Sequence, residues 1–189
     1  MLEQKKPRNG FTLTELLVVI LIVGMLATIV IIDFRRGKMR DDLRYSAQQL
    51  AASLQEAQNL AMTGRVTGSD VPEGGYGIVL DTVEPSEFKI FADQDNNHIY
   101  EAGSDDLVEG ETIMLADRVT LIEIEKVADG SNFSHLNITF PLLEHSPFLC
   151  QEADCSDQGF DLLLTLEHST LAETKQVKLY GLTGQVELL

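Results

Sequence analysis

The run Leu16–Ile32, LLVVILIVGMLATIVII, constrains this chain more than any other feature: 17 consecutive residues carry no charge, bounded by Glu15 and Asp33. As a helix rising 1.5 Å per residue it would cover roughly 25 Å, close to the thickness of a bilayer's hydrocarbon core. Leu, Ile and Val occupy every face, so periodicity does not separate a membrane helix from a buried core helix. Length and the lack of polar punctuation favour the membrane. The preceding segment, MLEQKKPRNG, carries Lys5, Lys6 and Arg8, which the positive-inside rule keeps in the cytoplasm. A secretory signal peptide would place a small-residue cleavage site after the apolar run. Here the run leads into Asp33, Phe34, Arg35 and Arg36. Basic residues from Arg35 to Arg44 make both flanks positive, so orientation rests on the leader more than on charge counting.

The string Lys5-Lys6-Pro7-Arg8-Asn9-Gly10, followed by Phe11-Thr12-Leu13-Thr14-Glu15-Leu16-Leu17-Val18-Val19-Ile20, resembles the class III signal of type IV pilins and type II secretion pseudopilins. The resemblance implies that a prepilin peptidase cuts between Gly10 and Phe11 on the cytoplasmic side and methylates the new amine of Phe11. Glu15 then stands at the fifth mature position, where the family places its glutamate. A carboxylate at the centre of a bilayer-embedded helix costs about 2.5 to 3.5 kcal/mol, and less near the interface, so it needs a partner or a route to water. The Phe11 amine is a nearby cation after cleavage, and the start of the helix favours an acid through its unpaired N–H groups. Glu15 could also snorkel to the headgroups. The resemblance implies instead that it pairs with the N-terminal amine of a neighbouring subunit during filament assembly.

From Lys38 to Thr63, the residues Leu43, Ala47, Leu50, Ala51, Leu54, Ala57 and Ala61 recur at spacings of three and four and mark one apolar stripe. No proline interrupts residues 11–63, and Gly64 is placed to stop the helix. One helix of roughly 53 residues would measure about 80 Å; two helices broken at Gly37 are the alternative. Asp42–Arg65, DLRYSAQQLAASLQEAQNLAMTGR, resembles the small-residue-rich amphipathic stretch of the minor pilins and pseudopilins of the GspH/FimT group.

Charge divides the chain. Residues 1–65 carry 9 basic and 6 acidic groups, whereas residues 66–189 carry 5 and 24, a net −19. Such a head lacks the Lys and Arg from which nucleic-acid affinity chiefly comes. It alternates short strand patterns with turn clusters: Tyr76–Leu80, Phe88–Ala92, Arg118–Glu125, Asn137–Phe140, Asp161–Glu167, Gln176–Tyr180 and Gln185–Leu189. Gly181-Leu182-Thr183-Gly184 suits a closing hairpin. The expected fold class is α+β: a long N-terminal helix packed on an antiparallel β head. Its expected parts are a leader over 1–10, a transmembrane or filament-core helix over 11–34, the amphipathic half over 35–64, and an exported acidic head over 65–189.

Within the head, Asp93-Gln94-Asp95-Asn96-Asn97-His98-Ile99-Tyr100-Glu101, with Asp105 and Asp106 beyond, spaces oxygen ligands as hard Ca²⁺ requires. Asp93, Asp95, Asn97 and Glu101 are the candidate ligands. His98 stands where an EF-hand loop has glycine and Ser104 where it has its bidentate Glu, so an EF-hand is not supported. The same segment resembles a Phe-x-Asp-x-Asp/Asn-x-Asn pattern of GspH/FimT-like heads, here starting at Phe91. Asp and Asn can equally serve there by capping turns. Cys150 and Cys155 enclose Gln-Glu-Ala-Asp. In an exported head a disulfide between them is permitted and could be worth up to about 3 kcal/mol; free thiols or a zinc site are the alternatives, though zinc would need two more soft ligands. No catalytic constellation frames His135 or His145, and no enzymatic activity is expected.

The expected function is therefore that of a structural subunit, a minor pilin or pseudopilin of a type IV pilus or type II secretion system. Its expected partners are prepilin peptidase, other pilins or pseudopilins, and an inner-membrane assembly platform. It would cross the inner membrane once with the head exported, and reach a periplasmic or surface filament after assembly. Alternatives are a DNA-uptake minor pilin of the FimT kind and a membrane-tethered ligand-binding domain.

Overall fold

The computed structural model describes residues 12–67, 70–143, 146–151 and 154–189. The leader, Gly10, Phe11 and His145 lie outside the described residues. The chain divides into two compact units, Met1–Lys38 and Met39–Leu189. Helix α1, Leu13–Thr63, supplies residues to both, and Gly37 lies within it.

In the first unit, α1 begins on Thr12. Its Oγ1 accepts the Glu15 backbone N–H at 3.3 Å, and its carbonyl accepts that of Leu16 at 3.2 Å. Thr12 is thus the N-cap and Glu15 the third helical residue, the T-x-x-E pattern of a capping box. Every large apolar side chain from Leu16 to Ile32 is between 50% and 66% exposed. Thr28, the one hydroxyl in that run, donates to the Met25 carbonyl at 2.7 Å, so no bare donor is offered to lipid.

In the second unit, the same helix buries Leu43, Ala47, Leu50, Leu54, Ala57, Leu60 and Ala61 in one hydrophobic core with the strands. The i, i+3, i+4 spacing of these residues produces that face. The helix ends at Gly64, whose φ of +58° admits a Schellman closure: the Arg65 N–H reaches the Leu60 carbonyl at 3.4 Å.

Eleven strands follow. One sheet contains β1 (Gly75–Asp81), β2 (Glu87–Asp93), β3 (Asp106–Met114), β6 (His135–Phe140), β7 (Phe148–Gln151) and β8 (Asp154–Gln158) in the order β3-β2-β1-β6-β7-β8. The other contains β4 (Val119–Lys126), β5 (Ser131–Asn132), β9 (Leu162–His168), β10 (Thr174–Leu179) and β11 (Val186–Leu188) in the order β11-β10-β9-β4-β5. The neighbours pair antiparallel throughout. The arrangement is the expected α+β one, a long apolar-ended helix followed by antiparallel sheets. In β9, Leu162, Leu164 and Leu166 alternate inward and are fully buried, as period-2 strands require.

Seven strands lie where the alternation places them. Strands β3, β5, β7 and β8 have no such pattern: β3 reads DLVEGETIM, and Asp, Glu and Gly disfavour strands. Pairing with β2 holds β3 in place despite its composition.

Candidate functional site

Two regions carry the candidate residues, and each is described within its own unit. At the start of α1, Glu15 occupies the first turn, where unpaired backbone N–H groups and the positive end of the helix dipole favour a carboxylate. The capping role of Thr12 is legible in the sequence as Thr12-x-x-Glu15, a signal carried inside the stronger leader motif. The apolar stretch that follows is buried against none of the described residues and is long and apolar enough to cross a membrane.

The second region is the β2–β3 connection. The hairpin register pairs Ala92 with Asp106 and Phe91 with Leu107, which sets Asp93 and Asp105 opposite each other at its mouth. Asp95 turns back over the same point, so an oxygen from each of Asp93, Asp95 and Asp105 lies within 4.8 Å of the other two. Asp93 is fully buried and Asp105 buried, whereas Asp95 is exposed. Asp93 Oδ2 accepts the His98 backbone N–H at 2.9 Å, while its Oδ1 is buried and accepts nothing. His98 Nδ1 lies 3.2 Å from Oδ2 but off the line of a hydrogen bond. Burial pushes the Asp93 carboxyl above the ordinary carboxylate range, and the Asp105 charge adds to that push; the His98 N–H and ring oppose it.

The surrounding residues hold these carboxylates. Asp105 accepts the N–H groups of Gln94 at 3.0 Å and Glu101 at 2.8 Å. Asn97 donates from Nδ2 to Asp95 at 2.9 Å, and its Oδ1 accepts the Ile99 N–H at 2.8 Å. Of the four residues singled out by spacing, Asp93 and Asp95 therefore meet, with Asp105 rather than Glu101 as their third carboxylate. Asn97 braces Asp95, and Glu101 contributes a backbone N–H. His98 adopts φ +64°, the left-handed conformation that a glycine would take without strain at this point of the loop.

Gly74 makes room for the arrangement. A Cβ there would stand 1.9 Å from Asp93 Oδ2, so only glycine lets the carboxylate lie against this backbone. Two buried polar residues of β6 tie the loop down: Asn137 Oδ1 accepts the Tyr100 N–H at 3.1 Å, and Thr139 Oγ1 donates to the His98 carbonyl at 3.1 Å. The His98 ring stacks on Phe148 of β7 with centroids 4.3 Å apart. Cys150 and Cys155 are joined by a disulfide between β7 and β8, and Cys155 Sγ lies 3.6 Å from the Asn97 carbonyl. Intact mass of the protein purified without reductant is expected to rise by two hydrogens when reductant is added; an unchanged mass would mean free thiols.

Elsewhere, His135 Nδ1 lies 3.4 Å from Asp81 Oδ2 beside a depression of about 110 Å³, well below the roughly 300 Å³ of a small-molecule site. The head's basic side chains lie against acids or a carbonyl: Lys89 near Glu87, Arg118 near Asp117, Lys126 near Asp129, Lys178 near Asp161, and Lys175 on the Leu189 carbonyl.

Compared with known proteins, residues 5–31 match the family model described as the prokaryotic N-terminal methylation motif. No curated protein and no solved structure matches the chain. Members sharing this motif are structural pilin subunits. The motif implies processing by a prepilin peptidase and assembly with other pilins, and with the apolar helix it points to membrane anchoring. The match over residues 5–31 takes in the start of that helix and indicates an N-terminal segment of the type IV pilin-like or pseudopilin-like kind.

Proposed function

We propose that the chain is a structural subunit, a minor pilin or pseudopilin of a type IV pilus or type II secretion system, of the GspH/FimT kind. The observation that carries this reading is the continuity of the methylation motif with an apolar helical stretch that the described residues leave uncovered on every face. A surface of that kind is stable only in lipid or against other apolar helices. Cleavage between Gly10 and Phe11, methylation of Phe11, and transfer of the Leu16–Ile32 surface from lipid into a filament core follow from it. The subunit would wait in the inner membrane with its head exported and enter the filament through an assembly platform.

Glu15 is the residue on which ordered entry depends, because a carboxylate moved into an apolar filament core must find a cation. Glu15→Ala is expected to leave cleavage intact and to reduce incorporation into sheared filaments at least tenfold; undiminished incorporation would remove the assembly role. The net charge of the head, −19 over residues 66–189, and the engagement of its basic side chains argue against the DNA-uptake alternative.

A further inference from the structure

We propose that Asp93, Asp95 and Asp105 form a Ca²⁺ site at the mouth of the β2–β3 hairpin, and that the ion locks this loop onto strands β6 and β7. The inference goes beyond assembly of the subunit and stands independently of it.

Three observations support it. The first is the convergence itself: three carboxylates from positions 93, 95 and 105 each bring an oxygen within 4.8 Å of the others. Acidic clusters on an acidic surface are common, so convergence alone carries little. The second is that Asp93 is wholly buried and its Oδ1 has no hydrogen-bond partner. A buried carboxylate oxygen without a partner is costly, and the Asp93 carboxylate also stands beside those of Asp95 and Asp105. Among the described residues, His98 is the basic group paired with Asp93; it sits at Oδ2 without hydrogen-bonding geometry and leaves Oδ1 unserved. A cation among the three carboxylates would satisfy Oδ1 and relieve their mutual repulsion together.

The third is the chemistry of the donors. They are all oxygen, which selects a hard ion over a soft transition metal. They come from an irregular loop rather than a rigid octahedral frame, and Ca²⁺ tolerates variable geometry where Mg²⁺ does not. Further oxygens could come from water, as they commonly do at such sites.

The consequence for the head is mechanical. The loop carries His98, which stacks on Phe148 of β7, and Asn97, whose carbonyl lies beside Cys155 of β8. Ordering the loop therefore orders the disulfide-clasped edge of the sheet.

The test is calorimetric titration of the full-length chain in detergent micelles, stripped with chelator, using CaCl₂ and, separately, MgCl₂. One saturable Ca²⁺ site is expected with Kd between about 10⁻⁵ and 10⁻³ M, the range of sensor and extracellular modules. Saturating Ca²⁺ at about 100 times Kd should raise the head's melting temperature by roughly 5 to 10 °C. Asp95→Asn should weaken binding at least tenfold without lowering the Ca²⁺-free melting temperature, because Asp95 is exposed and its charge is part of the repulsion that the ion would relieve. Asp105→Asn should do the same if it folds; Asp95→Asn decides if it does not. Glu101→Gln, outside the cluster, should leave Kd within about twofold.

The proposal is overturned if millimolar Ca²⁺ gives neither saturable heat nor a melting shift. It is equally overturned if the heat is unchanged in Asp95→Asn or is matched by Mg²⁺, either of which assigns it to diffuse attraction by the acidic head.

Discussion

Gly10→Val is expected to leave the chain uncut. In the proposed processing Gly10 stands immediately before the scissile bond, a position where a side chain must be accommodated by the peptidase. A site shaped around a hydrogen atom rejects a branched side chain far more strongly than the one-methylene discrimination of about 10- to 200-fold, so the processing rate should fall by at least 100-fold.

The loss should propagate. An uncut leader keeps Lys5, Lys6 and Arg8 on the chain, and each would cost about 2.5 to 3.5 kcal/mol if drawn to the centre of the apolar layer. The free amine also stays at Met1, fourteen residues before Glu15 instead of four, so Glu15 is denied the cation proposed for it. Intact mass of the membrane fraction, in cells holding a prepilin peptidase, reads the outcome directly. Wild-type chain should begin at methylated Phe11, and Gly10→Val at Met1. Normal processing of Gly10→Val would overturn the cleavage assignment.

Leu54→Ala carries the largest expected effect on stability. Leu54 is completely buried on the stripe of α1 and belongs to a core that includes residues of both sheets, among them Ile78, Ile124, Ile138 and Leu164. Deleting its side chain removes apolar burial and leaves a cavity that a helix wedged against strands closes poorly. The cost should be about 3 kcal/mol within the usual 2–5 range, which for a domain of this size lowers the melting temperature by roughly 6 to 12 °C. Gln55→Ala, one residue along on the exposed face, should move it by no more than about 2 °C. Thermal denaturation of the full-length chain in detergent separates the two. Equal melting temperatures would mean that this half of α1 does not pack on the head.

The two sides of this protein were unequally legible. The stripe Leu43 to Ala61, the stop at Gly64 and seven of the strands follow from signals only a few residues long, and the structure reproduces them. Helical and strand periodicities act within a single element, so they survive in the sequence whatever the element packs against. Strands β3, β7 and β8 were not legible for the opposite reason. β3 carries acids and a glycine, β8 is polar, and β7 has only four residues, too few to show a period; each becomes a strand by pairing with a neighbour, and the disulfide joins β7 to β8.

The Asp93 loop shows the same division within one site. Its composition announced oxygen donors, and Asp93 and Asp95 were identifiable by spacing. Asp105 was not, since its place opposite Asp93 depends on a hairpin register shifted between Lys89 and Phe91. Gly74 and Asn137 are farther away still in the chain. Nothing local distinguishes a glycine that admits a carboxylate from a turn glycine, or a β6 asparagine that caps a distant loop from a surface one. Ser46 belongs with them: buried on α1, its Oγ accepts the Ala116 N–H at 2.9 Å.

The sequence by itself determined the membrane-length apolar helix, its processing motif and the segregation of acidity into the head, because hydrophobicity, charge and a contiguous motif are properties of the covalent chain. Only the tertiary structure decided which three carboxylates converge and which oxygen among them is buried without a partner, because those depend on strand register and on burial by residues far away in the chain.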